Sequence, residues 1–528
     1  MSRHYDVVVL GRSIGALTTA ALLARRDFTV LLVGQGQRPC GYRYGKFALR
    51  RRAFTLLASN SPAWSRIVVE LAQSQTWRRR AQPLSPMFQV VAPRRRLDFP
   101  PDVGLLTREI EREMPELRRL VDDLYAELSR VNAVADDAFS RDCVWPPGTF
   151  WERRETNRIA ALLPFVRAEP DADLLAEFPR AHLFRQIVTQ SVLFATDFAT
   201  LPPPFAVARL HGAWTRGVHA IAGGEDELEE FLIERIASYG GRAALGERVD
   251  ALFLKRGAVA GTRIDGDQNA TGATFVVSDG QGEDLAELSA GEGIHRRAQR
   301  EWPRITSNVG RFVVSLVVRK EGLPEPLGRE VLMLPSDPSA ASRKGAYHAM
   351  RASRVPGRPF GPVVHLQRCG PSSGPDDELL VAEVLLDTPG PIPITEARAE
   401  VVRSLIAELP FLERHILVVD SPHDGLPLWL FEDGKRRDVD RSELTDASRR
   451  AEPMVRKIAV DPPGFLGLSG EPIRGPIERT LLVGRSVLPA LGQEGQLLAA
   501  WGAARLITRT DKRKERMRRD MWSKIEIG

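Results

Sequence analysis

The residues with the clearest chemical meaning form a short turn near the start of the chain. It follows the apolar run 7–10 and reads Gly11-Arg12-Ser13-Ile14-Gly15-Ala16. Between a strand and a helix, the backbone N–H groups of such a turn and the positive end of the helix hold a phosphate or diphosphate. Small residues are needed because side chains keep the backbone away from the anion. The turn therefore predicts a binding site for the anionic part of a nucleotide.

A strict dinucleotide turn reads G-x-G-x-x-G/A, and this turn departs from it at the middle glycine. Gly11 and Ala16 fit the pattern, whereas Ser13 stands where the backbone must meet the diphosphate. The acidic residue that normally ends the second strand and binds the ribose is missing, because Gly34 and Gln35 occupy its place. Gln35 can bond to the ribose, but it lacks the two equivalent acceptors of a carboxylate. Two interpretations stay open: a βαβ unit that binds a nucleotide, and one that no longer does.

A second turn of the same kind lies near the C-terminal end. A predicted strand, residues 479–483, leads into Gly484 and Arg485, and a helical pattern rich in Ala and Leu follows the residues Gly492, Gln493 and Gly495. The two turns lie about 470 residues apart, yet each has the order strand, turn, helix. We therefore expect a discontinuous domain whose first and last segments meet in one sheet.

Both turns contain the triplet Gly-Arg-Ser, and if their segments meet in one sheet, the two guanidinium groups lie at the same edge. Two physical explanations are open. Arg12 and Arg485 could replace the lost glycines by binding a diphosphate that is held further out. Alternatively, the groove has stopped binding a nucleotide, and the arginines fill it or pair with acids such as Glu494.

The wider pattern predicts the elements that position these turns. The first apolar run, the helical pattern after it and the second apolar run make one βαβ unit of about 30 residues. Further strands are expected at 311–318, 362–367 and 379–386, and helices near 103–131 and 395–409. These elements suit a second domain, and the prolines at 202–204 mark a crossing between the two domains.

In this order and spacing, four segments resemble the phytoene desaturase and carotenoid isomerase group of amine-oxidase-type FAD enzymes. They are the N-terminal unit, the run 217–224 with the helix 225–238 and Gly240-Gly241, the pair 247–253 and 275–279, and the terminal turn 484–496. The resemblance implies an α/β fold in which a Rossmann-like FAD-binding domain, built from discontinuous segments, joins an α+β substrate domain. It also implies that Val249 lies against the adenine and that the terminal turn lies over the flavin.

The resemblance further implies a flavin-dependent oxidation or isomerisation of a large apolar substrate, isoprenoid- or polyene-like. The flavin supplies the redox chemistry in such enzymes, so no protein nucleophile is expected, and no catalytic residue is assigned. The predicted FAD contacts are Gly11, Arg12, Ser13, Ile14, Gly15, Ala16, Gln35, Val249, Gly484, Arg485, Gly492, Gln493 and Gly495.

The resemblance also predicts a domain map. The FAD-type domain takes residues 1–95, 206–300 and 475–510, and the substrate domain takes 96–205 and 301–474. The remaining residues, 511–528, form a basic C-terminal tail.

Two other functions compete with the flavin enzyme. The first is a cofactor-free protein of the same fold that binds a lipid or a protein. It would resemble the Rab escort and GDP-dissociation-inhibitor branch, which has lost FAD. Binding of NADP without flavin would need a basic residue at the end of the second strand. Arg38 lies four positions too late for that role, so we set this third function aside.

Composition limits the partners. The 528 residues carry 74 basic and 68 acidic side chains, and three scattered cysteines cannot form a disulfide framework. No metal-ligand spacing and no nucleic-acid motif is present in the sequence, so we expect neither a bound metal ion nor a nucleic-acid partner. We expect a cytoplasmic protein. Two roles stay open for the basic tail with its Met517, Met521 and Trp522: a solvated helix end, and a peripheral contact with an anionic membrane.

Overall fold

The computed structural model describes residues 4–93, 95–165, 173–180, 182–266, 270–334, 362–390, 392–409 and 411–527, with side chains up to 523. The helices are α1 Ile14–Arg25, α2 Pro62–Glu70, α3 Ser74–Arg80, α4 Val103–Glu113, α5 Arg118–Ser140, α6 Phe150–Ala160, α7 Leu183–Ala195, α8 Pro204–Thr215, α9 Glu225–Ser238, α10 Gly282–Leu288, α11 Arg296–Glu301, α12 Ile394–Glu408, α13 Gly492–Thr508 and α14 Lys512–Ile527.

The strands fall into two large sheets and two small ones. They are β1 His4–Leu10, β2 Val30–Val33, β3 Gly41–Tyr44, β4 Phe47–Arg50, β5 Ala81–Pro83, β6 Phe88–Ala92, β7 Arg95–Phe99, β8 His219–Ile221, β9 Arg242–Ala244, β10 Val249–Lys255, β11 Ala258–Ile264, β12 Thr271–Ser278, β13 Arg304–Arg319, β14 Glu330–Met333, β15 Val364–Arg368, β16 Asp377–Asp387, β17 Ile416–Asp420, β18 Leu428–Glu432, β19 Lys435–Val439, β20 Leu444–Thr445, β21 Val455–Asp461 and β22 Thr480–Leu482.

The first large sheet has seven strands in the order β10-β11-β12-β1-β2-β9, with β22 paired to β12. Strand β1 runs parallel to β2 and β12 and places Val8 beside Leu31 and Val276. Residues 7–10 of β1 are at most 1% exposed, so this part of the sheet is buried on both faces. The sheet joins segments from both ends of the chain, so the predicted discontinuous Rossmann-like domain is confirmed.

The second large sheet has ten strands in the order β19-β18-β17-β13-β16-β15-β14-β6-β7, with β21 paired to β13. Strand β13 is 16 residues long and pairs with three other strands of this sheet, β16, β17 and β21. The α+β second domain is therefore present. Its sheet also includes β6, so the change of domain comes before residue 88 rather than at the predicted residue 95.

The basic tail is helix α14, and it packs against the first domain. The Trp522 ring lies edge-on to Trp501, with centroids 6.0 Å apart, and its Nε1–H donates to Glu70 at 3.1 Å. Arg518 pairs with Asp142 at 2.9 Å. Two groups that the sequence offered to a membrane are thus used inside the protein. Within the described ranges, none of the helices has the length and apolar character that a membrane crossing requires.

Candidate ligand cleft at the two Gly-Arg-Ser turns

The two turns meet at the carboxyl ends of β1, β12 and β22. Gly15 packs so closely on β22 that a Cβ atom there would lie 2.1 Å from the carbonyl oxygen of Val483. A Cβ on Gly484 would lie 1.8 Å from the carbonyl oxygen of Asp279. Both glycines are therefore required by helix–strand and turn–turn packing. In open α/β sheets this edge is where ligands bind.

The first turn is occupied by side chains of the protein itself. The carboxylate of Asp279 accepts hydrogen bonds from the Ser13 N–H at 2.8 Å and from Nε2 of Gln37 at 2.9 Å. The Gln37 Oε1 in turn accepts from the Arg12 N–H at 2.9 Å. The Asp279 carboxylate lies directly on Gly11, where a Cβ would be 1.9 Å from it. A carboxylate thus takes two contacts of the kind that a phosphate would make.

Burial raises the pKa of Asp279, while the N–H groups of Ser13 and Gln37 oppose the rise. Ser13 also caps α1, since its Oγ accepts from the Ala16 N–H at 3.3 Å. The N–H groups of Ile14 and Gly15 make no hydrogen bond among the described residues. One part of the helix terminus therefore remains available to an anion.

Arg12 is engaged with α9. Its Nη2 lies 2.6 Å from Oε1 of Glu229, and its Nη1 donates to the carbonyl of Gln37 at 3.3 Å. The side chain is 13% exposed. Of the two sequence-based explanations, pairing with an acid holds for Arg12, although the acid is Glu229 and not Glu494.

Gln35 and Val249 bind each other. The Gln35 Nε2 donates to the Val249 carbonyl at 2.8 Å, and the Gln35 Oε1 accepts from the Val249 N–H at 2.9 Å. Both backbone groups of Val249, the residue that the resemblance places against the adenine, are thus bonded to a side chain. An acidic residue at Gly34 is excluded as well, because a Cβ there would lie 2.0 Å from the Leu245 carbonyl oxygen.

The start of α13 is tied to other helices. Glu494 receives two hydrogen bonds from Arg209, at 2.7 and 2.6 Å, and one from the Ser61 hydroxyl at 2.5 Å. Burial opposes ionisation, but Arg209 holds the pKa of Glu494 below its usual value. Gln493 donates to the Thr55 carbonyl at 2.9 Å. The Glu494 charge is therefore neutralised by Arg209.

The other two predicted contacts in this segment are packing glycines. A Cβ on Gly492 would lie 2.1 Å from the Ala195 carbonyl oxygen, and one on Gly495 would lie 2.2 Å from the Leu488 carbonyl oxygen. Gly492 also has φ of +53°, which favours glycine. The positions match the family pattern because the backbone requires glycine there.

Arg485 differs from the other arginines of the cleft. Its guanidinium donates no hydrogen bond to the described residues, and its nearest acid is Asp197, with Nε 3.7 Å from Oδ1. Its side chain is 36% exposed. Burial lowers the pKa of Arg485, and the nearby Arg311 and Arg52 lower it further, while Asp197 opposes them. A guanidinium with unused donors in a recess is a candidate anion-binding group.

Two further cations surround Arg485. Arg311 bonds Glu383 at 2.6 Å and the Phe194 carbonyl at 2.8 Å. The Lys457 ammonium is buried and donates to the Thr196 carbonyl. Burial lowers the pKa of Lys457 well below its usual value, and Arg311 adds to this effect. Arg311 and Lys457 have no local signal in the sequence, because the pairing of β13 with β21 brings them together.

An apolar cavity lies on the other side of the end of α7. It is lined by Phe88, Ser191, Phe194, Trp214, Glu330, Val331, Leu332 and His365. Its volume is about 10 Å³, room for about one water molecule and far below the roughly 300–1,000 Å³ of a ligand pocket, so it would have to open to receive an apolar group. Its acid is satisfied: Glu330 bonds His365 at 2.9 Å and Gln367 at 2.9 Å.

His211, which sequence placed near the domain crossing, has a structural role. Its ring nitrogens bond the hydroxyls of Ser191 at 3.0 Å and Tyr125 at 2.9 Å. Burial lowers the pKa of His211 to about 3, so the ring stays neutral. The described residues contain no group of three His, Cys, Asp or Glu side chains that could hold a metal ion.

FAD does not fit these contacts in the pose that the resemblance implies. The Val249 backbone is bonded to Gln35, and a buried acid, Asp279, lies where the diphosphate would approach. A dinucleotide would have to displace both side chains and place its negative charge beside a carboxylate.

Comparison with known proteins agrees with this fold. Residues 9–71 match the family of NAD(P)-binding Rossmann-like domains. No curated protein matches the sequence.

Solved structures extend the likeness to the whole chain. An oxidoreductase from Methanosarcina mazei is 14% identical, with a TM-score of 0.54, over 94% of this chain and 98% of the other. The PF1083 protein from Pyrococcus furiosus is 14% identical, with a TM-score of 0.54, over 95% and 97%. A putrescine oxidase variant with redesigned cofactor binding is 14% identical, with a TM-score of 0.49, over 96% and 99%. The chain therefore has a Rossmann-like domain within a two-domain fold that is similar to that of the Methanosarcina mazei protein.

Proposed function

We propose that this protein binds an apolar small molecule with an anionic group in the cleft between its two domains, without a dinucleotide cofactor. The observation that carries the proposal is Arg485, whose guanidinium is accessible and donates no hydrogen bond to the described residues. It lies at the edge of the sheet where this kind of fold binds ligands. The anionic group of the ligand would accept the unused donors.

The end of α7 links the anionic and apolar parts of this site. Phe194 lines the apolar cavity, and Asp197, three residues later, faces Arg485. Between them, the Thr196 carbonyl accepts from Lys457. Because these residues lie within four positions of one another, a ligand with a carboxylate or phosphate at Arg485 would have its apolar part near Phe194, and the cavity would have to open to receive it. The apolar part agrees with the substrate class that the sequence resemblance implies.

A second candidate is the flavin-dependent oxidoreductase that the sequence resemblance implies. The unpaired N–H groups of Ile14 and Gly15 favour it, because they still form an anion site at the start of α1. An FAD enzyme would additionally need Gln35 to release Val249. The desaturase or isomerase reaction belongs to this candidate alone.

One set of binding measurements separates the two functions. We expect purified protein to lack the visible bands of a flavin and to take up no added FAD in a fluorescence titration. We expect octanoate to bind measurably by calorimetry, and octanol, which has the same chain without the charge, to bind more weakly. A full equivalent of bound FAD would contradict the proposal and support the flavin enzyme.

Replacing Arg485 tests the anionic contact. Hydrogen bonds to a charged group contribute about 2 kcal/mol, so Arg485→Met should weaken octanoate binding about 30-fold and leave octanol binding unchanged. Arg485→Lys should recover part of the loss because it keeps the charge. The control is Arg297→Met, which removes an exposed arginine paired with Glu301. Equal affinity of Arg485→Met and the parent protein for octanoate would exclude Arg485 as the anchor.

A further inference from the structure

Helix α6 holds two aromatic rings in solvent. The side chains of Phe150 and Trp151 are each 70% exposed, and their ring centroids lie 5.4 Å apart. Leu162, just after the helix, is 61% exposed. Large exposed apolar side chains that stand together often mark an interaction site.

The packing of α6 does not depend on these rings. The buried face of the helix consists of Glu152, Thr156, Ile159 and Ala160. Thr149 and Glu152 form a capping box at its start, and Glu152 also bonds Arg474 at 2.6 Å. The helix is therefore fixed by its inner face, and the outer aromatic residues are free for another role.

The same outer face is positively charged. Arg153, Arg154 and Arg158 are exposed, and none of them has an ion-pair partner among the described residues. The Arg154 guanidinium lies 5.9 Å from the Trp151 ring centroid. The acid on this side, Glu155, is bound to Arg505 at 3.1 Å. The face thus combines aromatic rings with uncompensated arginines.

We propose that this α6 face binds peripherally to an anionic lipid surface. Aromatic rings prefer the headgroup region of a bilayer, and arginines gain energy near anionic lipids. A helix that presents both on one face lies in the plane of the interface. The charge of the face selects an anionic surface over a neutral one. Helix α14, the predicted membrane contact, has its Trp522 engaged with Glu70.

Vesicle sedimentation of the full-length protein tests the proposal. We expect binding to vesicles that contain phosphatidylglycerol, weak binding to phosphatidylcholine alone, and release by salt, since ionic strength screens the arginines. The double substitution Phe150→Ser with Trp151→Ser should reduce binding at least tenfold. The triple substitution Arg153→Gln, Arg154→Gln, Arg158→Gln should reduce vesicle binding about fivefold for each arginine removed.

Two control variants keep the result specific. Arg119→Gln removes an arginine that is 95% exposed on α5, and Met517→Ser removes an exposed apolar side chain on α14. Neither should change binding. Circular dichroism confirms that the α6 variants are folded. Full vesicle binding by the folded Phe150→Ser, Trp151→Ser variant would overturn the proposal, and loss of binding in Met517→Ser alone would assign the contact to α14.

Discussion

Replacing Arg209 with methionine is expected to lower the free energy of unfolding by about 3–5 kcal/mol. Arg209 is 2% exposed and Glu494 is 7% exposed, so neither charge reaches bulk water. Without the guanidinium, Glu494 keeps only the Ser61 hydroxyl as a close partner. An unpaired buried carboxylate costs far more than a lost surface ion pair. Urea denaturation followed by circular dichroism measures the change.

Two comparisons make the Arg209 result interpretable. Arg112→Met removes an exposed arginine that also bonds a carboxylate, Glu109, and should cost about 1 kcal/mol or less. The double variant Arg209→Met with Glu494→Leu should recover much of the loss, because it removes the buried charge itself. A loss for Arg209→Met no larger than that for Arg112→Met would show that Glu494 finds another partner or water.

The same pair gives a pH dependence of known sign. The pKa of Glu494 lies below its usual value of 4.5 in the folded protein, so its ionisation stabilises the fold above that pH. This contribution is lost as the pH falls below about 4.5. In the Arg209→Met variant, burial of Glu494 without its cation raises the pKa of Glu494. Lowering the pH should therefore reduce the loss in free energy of unfolding. A defect that stays constant across this pH range would contradict the assignment.

Gly15→Ala is expected to cost about 3 kcal/mol. Alanine favours helices by about 1 kcal/mol over glycine, but the new Cβ would lie 2.1 Å from the Val483 carbonyl oxygen. Because that oxygen belongs to the backbone of the sheet, α1 must move away from it. Gly246→Ala is the matched control, since no atom lies within 4 Å of its Cβ position. Equal stability of the two variants would show that α1 can shift without loss.

The sequence predicts the architecture well because the architecture depends on short-range patterns. Apolar runs, a helix start at Ser13 and glycines at close packing points, such as Gly15 and Gly484, are all local signals. The order of these segments was sufficient to predict that the ends of the chain meet. The exception is β6, whose parallel pairing with β14 has no local signature.

The contents of the cleft could not be predicted in the same way. Asp279 and Ser13 are 266 residues apart, and Gln35 and Val249 are 214 apart. A motif predicts which backbone atoms a ligand would contact. It does not predict which side chains from distant parts of the sequence form hydrogen bonds to those atoms in the folded protein. An acid directly after β12 was the available signal for Asp279, since this strand neighbours β1. The hydrogen bond between Trp522 and Glu70 could not be predicted for the same reason, because the two residues lie far apart in sequence.

The position of β1 in the middle of the first sheet has a consequence for synthesis of the chain. Strand β1 leaves the ribosome before its partners β12 and β22, which follow about 270 and 470 residues later. At about 5–20 residues per second, β1 and α1 wait about 25–100 s for the last segment. During that interval β2 can pair with one edge of β1, but the other edge waits for β12, and α1 waits for α13. The first βαβ unit therefore keeps apolar surface exposed until the later segments of the domain have been made.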